Sequence, residues 1–167
     1  NLQLISLRLA MALANAVCHL SVLELIAVPA MSALYAELAL ILMVISIMTG
    51  RVVPMFTKNV TPGLVSQVSR RFELALLAVT AVTLALWVLG APAWLVLPAS
   101  VLSAVLHALR LWKWHPRVTL RRPILWILHF SYAWMPLAFV LLALAQGGWV
   151  APSLAVHAFG VGVIGGL

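Results

Sequence analysis

The sequence contains no aspartate, and its only acidic residues are three glutamates at 24, 37 and 73. It has one cysteine, Cys18, and charged residues of both signs make up 8% of the chain. Each shortage excludes something. A single cysteine rules out an internal disulfide and every multi-cysteine metal motif, which leaves Cys18 to pack within its helix. There is no glycine-rich phosphate loop, no His-Glu-x-x-His and no serine-nucleophile motif, so most hydrolytic chemistry lacks its parts. With so little charge against 65% hydrophobic residues and a mean hydropathy of +1.17, no soluble surface can be built. The formal net charge of +7 does not indicate nucleic acid either, because the basic residues are spaced between apolar runs and not gathered on one face.

What is present is apolar and long. Several runs reach the ~18–20 residues that cross a bilayer as a helix, which predicts an all-α, polytopic transmembrane bundle of about six spans, the last truncated. The reading is one transmembrane domain over 1–167, with spans near 2–28, 31–49, 72–89, 93–113, 123–145 and 153–167. Pro29 closes the first span, Gly90-Ala91-Pro92 turns the third into the fourth, and Pro123 suits a helix's first turn. Asn1 in place of methionine, and an end at Gly165-Gly166-Leu167 inside an apolar run, suggest a fragment of a larger protein.

The stretch from Gly50 to Gly63 holds two prolines and two glycines, which predicts a break in helix and a structured loop over 50–71. Val52, Val53, Met55 and Phe56 among its polar residues suggest that this loop packs back on the helix ends. Arg51, Lys58, Arg70 and Arg71 lie in this second connection, and Lys113, Arg117, Arg121 and Arg122 in the fourth. The first, third and fifth connections carry none. That alternation places the N-terminal end and the two basic segments, 50–71 and 113–122, in the cytoplasm by the positive-inside rule.

Ionisable groups inside spans are functional candidates by default. His107 and His129 each fall about six residues from the basic end of their spans, roughly 9 Å in, while His157 and His19 share a level toward the other side. Imidazoles at matched depth suit haem ligation or copper binding, although helix packing and structural hydrogen bonding use histidine too. In the fourth span Ser100, Ser103, His107, Arg110 and Trp114 recur at spacings of three and four, a single face. Arg110 on that face either pairs an anionic group such as a haem propionate or snorkels to the interface. Trp126, His129, Tyr132 and Pro136 form a face of the fifth span, an aromatic wall beside an imidazole. Gly162 and Gly166, four apart beyond His157, permit close approach by a flat ligand or by another helix. Asn15 and His19 lie one turn apart, and Glu24 and Glu37 stand near the outer ends of the first hairpin. Arg51, Lys58 and Asn59 hold an anionic group or simply set topology.

Three segments, GRVVPMFTKN from 50, RRPILWILHFSYAWMPL from 121 and AVHAFGVGVIGG from 155, resemble the NnrS family of bacterial polytopic membrane proteins. The resemblance carries over to Gly50, Arg51, Pro54, Phe56, Thr57 and Asn59, to Trp126, His129, Tyr132 and Trp134, and to His157, Gly162, Gly165 and Gly166. It implies an inner-membrane protein with haem and copper as cofactors, a link to the nitric oxide response or denitrification, and nitric oxide or a related small molecule as partner. His107, His129 and His157 are then the expected ligands, with Tyr132 and Trp126 packed nearby and Arg110 balancing charge. The family pattern continues past the final glycines and includes a preceding set of helices, so the expected partners are the bilayer and the remaining helices of the parent protein. Two other readings stand beside it: a transporter or channel whose buried His and Glu line a proton or ion path, and a purely structural bundle.

Overall fold

A computed structural model describes residues 2–23, 29–61, 68–120 and 122–167. Its elements are α1 (Leu2–Val22), α2 (Ala30–Val60), α3 (Arg70–Val88), α4 (Ala93–Lys113), a 3₁₀ turn (Pro116–Thr119), α5 (Pro123–Gln146) and α6 (Pro152–His157). The last helix continues as a π-helix over Ala158–Ile164. No strand occurs among the described residues. Four helices are long and apolar enough to cross a membrane: Met31–Val60, Arg70–Val88, Ala93–Lys113 and Leu125–Gln146. The apolar stretches Leu9–Ser21 and Pro152–Ile164 are shorter. Residues 24–28, which close the expected first span and include Glu24, lie outside the described residues, as do 62–67 and Arg121.

The structure overturns the loop expected from Gly50 onward. Helix α2 runs without interruption through Gly50 and Pro54 to Val60. Gly50, Arg51, Pro54, Phe56, Thr57 and Asn59 are therefore helical residues, and no described part of the connection precedes Thr61. The physical reason is the solvent. Proline and glycine break helices in water because water takes up the freed backbone groups, whereas in an apolar medium leaving the helix would strand several of them. One turn past Pro54, the Thr57 hydroxyl donates to the Val53 carbonyl at 2.8 Å.

Helix α5 is the centre of the bundle and packs against α4, α2 and α6. Tyr132, Met135, Ala138, Phe139 and Leu142 of α5 are buried against Leu42 of α2, Leu84 of α3, Ala104 of α4, Trp114 just past its end, and Ala155 and Phe159 of the last helix. Around them Leu9, Leu74, Trp94, Val105, Phe130 and Val161 face outward, as lipid contact requires. Hydrophobicity does not hold helices together in lipid, so close packing and polar contacts must. The α3–α4 seam uses both. Thr80, Thr83, Ser100 and Ser103 are completely buried there, and Thr83 Oγ1 meets Ser103 Oγ at 2.9 Å while also bonding the Ala99 carbonyl at 3.1 Å.

Consecutive helices run antiparallel, so the C-termini of α2 and α4 and the N-termini of α3 and α5 share one end. Arg51, Lys58, Arg70, Arg71, Arg110, Lys113, Arg117 and Arg122 all gather there. Of the described glutamates, Glu73 in the first turn of α3 is at this end and Glu37, near the start of α2, at the other.

Candidate functional site

The polar face read on α4 is real, and it is buried: Ser100, Ser103, His107 and Arg110 have no exposed surface, and Trp114 is nearly as enclosed. Arg110 does not snorkel, and its guanidinium is fully engaged by the protein. Its Nε donates to Glu73 Oε1 at 3.0 Å, and its Nη2 completes a two-point ion pair with Glu73 Oε2. Nη1 donates to the Ser46 carbonyl at 2.9 Å, to Ser46 Oγ at 3.3 Å and to the Tyr132 hydroxyl at 3.1 Å. One guanidinium thus ties α4 to α2, α3 and α5. The anion that Arg110 required is a side chain of this chain, which corrects the expectation of a cofactor's carboxylate.

Glu73 was not singled out by sequence reasoning. The signal was available, since it is the only described acid at the basic end and stands in a helix's first turn, where a carboxylate is favourable. Its partner lies 37 positions away and only packing brings them together.

The hydrogen-bond order beyond Arg110 can be worked out atom by atom. Thr80 Oγ1 spends its proton on the Leu76 carbonyl at 2.8 Å, so it accepts at 3.0 Å from His107 Nε2. A neutral imidazole protonated on Nε2 must accept on Nδ1, where Tyr132 O–H donates at 2.5 Å. The Tyr132 oxygen in turn accepts from Arg110. The series Arg110, Tyr132, His107, Thr80 therefore has one direction and ends at a backbone carbonyl. His107 has no lone pair left for a metal. Tyr132→Phe removes the central hydroxyl and leaves His107 Nδ1 and one Arg110 N–H short of a partner. The expected cost is about 1–3 kcal/mol, read as a lower unfolding midpoint in detergent.

His129 and His157 are built differently. Each donates its Nδ1–H to the carbonyl one turn back in its own helix, Leu125 at 3.0 Å and Ser153 at 2.7 Å. That bond fixes the ring and leaves the Nε2 lone pair free, the second-coordination arrangement metal-ligating histidines use. His129 is buried edge-on against Trp114, its Nε2 without a hydrogen bond of ordinary geometry and the Trp114 carbonyl nearby. His157 is exposed and lines a groove of about 650 Å³ between α5 and the last helix, with Phe130, Trp134, Leu154, Val161 and Gly165 among its walls. His129 is not among the walls of this groove, although Ile127 and Phe130 on either side of it are, because its ring turns toward Trp114.

The other expected members fall outside both. His19 is exposed on α1, which packs along α2. Among the described residues no group of three or more His, Cys, Asp and Glu converges as a metal site. Trp126 is 37% exposed and meets Phe130 edge-on, so it does not wall the imidazoles. The aromatic wall is made instead by Trp114 at 4.6 Å from Tyr132, and by Phe139 stacked on His107 at 5.4 Å and edge-on to Phe159 at 5.1 Å. Gly162 and Gly166 serve helix approach. A Cβ on Gly162 would come within 2.6 Å of the Trp134 ring, and one on Gly166 within 3.0 Å of Ser131. Of Glu37, one carboxylate oxygen is buried without a partner.

Fold and site together define a polytopic α-helical membrane protein with a charged clamp in its core and two histidines presenting free Nε2 atoms. The profile of the NnrS protein family matches residues 1–167, and the chain belongs to that family. No curated protein and no solved structure is detectably similar to it.

Proposed function

We propose that this chain is the part of an NnrS-family inner-membrane protein that holds a haem or copper centre, and that the parent protein acts in the response to nitric oxide. The observation that carries the reading is the pair of histidines whose Nδ1–H is bonded to their own helix while Nε2 stays free. The residues fit such a group unequally. His157 fits a flat macrocycle, since its groove is largely apolar and within the ~300–1,000 Å³ usual for bound cofactors. The π-helix that follows it is a distortion common at functional sites. His129 offers a buried imidazole, which suits a small ion better than a macrocycle. His107 is already bonded through both ring nitrogens, so its role is to hold Tyr132 and Arg110 in place. A bound haem or copper would supply reversible coordination of a diatomic ligand. The chain's own contribution is to orient the imidazoles, keep water from the Nε2 of His129 and hold the helices in register. By the positive-inside rule the basic end faces the cytoplasm.

The test is a visible spectrum and metal analysis of the full-length protein and three variants. His157→Ala is expected to abolish the haem absorption or His129→Ala the copper content. His107→Ala is expected to retain both and to unfold more readily. A colourless, metal-free wild-type protein, or loss of cofactor with His107→Ala alone, would overturn the assignment.

A further inference from the structure

A second cavity, of about 150 Å³, opens at the basic end between α2 and the end of α4. Thr57, Lys58, Lys113, Trp114 and His115 line it. Among the described residues no acid is available to its two lysines: Glu73, the only one of their glutamates at this end, is held by Arg110, and the sequence from 62 to 67 contains none. Trp114 is 2% exposed, yet its Nε1–H is buried without a hydrogen-bond partner. An unpaired buried donor is uncommon and points to a group that completes it. His115, the next residue, has φ 56°, the only positive φ outside glycine among the described residues. Non-glycine residues pay for that conformation, and such strain collects at binding sites.

We infer that this cavity binds a phosphate-like oxyanion, with Lys58 and Lys113 supplying charge and Trp114 Nε1–H a fixed donor. Elsewhere at this end Arg51, Arg70 and Arg110 border a different cavity, but that one holds Glu73 among its walls. Here two lysines border one small cavity that has no acid among its walls, beside a tryptophan whose buried N–H has no partner. Anion oxygens accept from all three groups, and ammonium-to-oxyanion bonds are among the stronger ones available to a protein. The same chemistry is offered by the phosphate of an anionic lipid headgroup and by a free oxyanion from solution. Basic recesses between spanning helices are known to take up lipid headgroups in this way.

Purified full-length protein in neutral, lipid-free detergent would be titrated with inorganic phosphate by calorimetry, and separately with phosphatidylglycerol by native mass spectrometry. Lys58→Gln combined with Lys113→Gln is expected to weaken binding by about tenfold or more. Trp114→Phe keeps the ring and removes the N–H, and should weaken it several-fold. Arg51→Gln combined with Arg70→Gln removes the same charge at the same end but beside a different cavity, so binding should persist. Binding of phosphate itself supports a soluble oxyanion as the ligand, and binding of the lipid alone supports the headgroup. Equal losses in the two double variants would reduce the effect to surface charge and sink the site, as would failure of the wild type to bind either probe. Lys113 is half-buried with its ammonium over the Phe72 ring, whereas Lys58 is exposed, so Lys58→Gln alone leaves the fold intact and keeps the comparison readable.

Discussion

Glu73→Ala is expected to destabilise the bundle by about 3–5 kcal/mol, because it strands the Arg110 guanidinium in the core. Arg110 has no exposed surface, and its side chain does not shed its proton in proteins. The remaining partners, Ser46 and Tyr132, are neutral and engage only Nη1, so Nε and Nη2 would lose their acceptors. Replacing both members with apolar residues, Glu73→Leu with Arg110→Met, should recover most of the loss, since neither desolvated charge then remains. The measurement is equilibrium or thermal unfolding of the purified protein in detergent for each single variant and the pair. Unchanged unfolding of Glu73→Ala would mean that the ion pair adds nothing to the fold. If the double variant fell as far as the single one, the cost would lie in packing and not in charge.

Gly50→Ala should also destabilise, against the usual sign for glycine in a helix, where alanine is better by roughly 1 kcal/mol. The Arg110 guanidinium lies on the α2 backbone at this turn, bonded to the Ser46 carbonyl one turn earlier. A Cβ on Gly50 would overlap Nη2, reach 2.9 Å from Cζ and lie 3.1 Å from Glu73 Oε2. The guanidinium would have to withdraw from Glu73. Overpacking costs about 1–3 kcal/mol in itself, and weakening the buried pair adds to it. Thermal unfolding checks the sign directly. A stabilised Gly50→Ala protein would show that the guanidinium has room to move aside without losing Glu73.

Gly50 also shows what the sequence conveyed and what it hid. Its proximity to Pro54 reads as a break, and the helix runs on regardless, because an apolar solvent changes the cost of leaving a helix. The glycine is there so that another helix's arginine can lie against the backbone. On α4 the spacing of Ser100, Ser103, His107, Arg110 and Trp114 was enough to show a shared inward face, since a helix repeats every 3.6 residues whatever surrounds it. The partners of that face come from α2, α3 and α5, and no periodicity reports them. Trp126 and Tyr132 share helical spacing with His129, yet Trp126 lies on the margin that faces outward.

Composition and hydropathy thus determined the all-α class, the helices suited to a bilayer and the gathering of cations at alternate connections, because burial of apolar length and the placement of charge are properties each segment carries alone. The residues of three segments were also enough to point to the family. Tertiary structure decided which histidines retain a free nitrogen, where Arg110 finds its anion and why Gly50 has no side chain. Those outcomes depend on distances between helices, and a hydrogen bond is made or lost within a few tenths of an ångström that no single helix's sequence specifies.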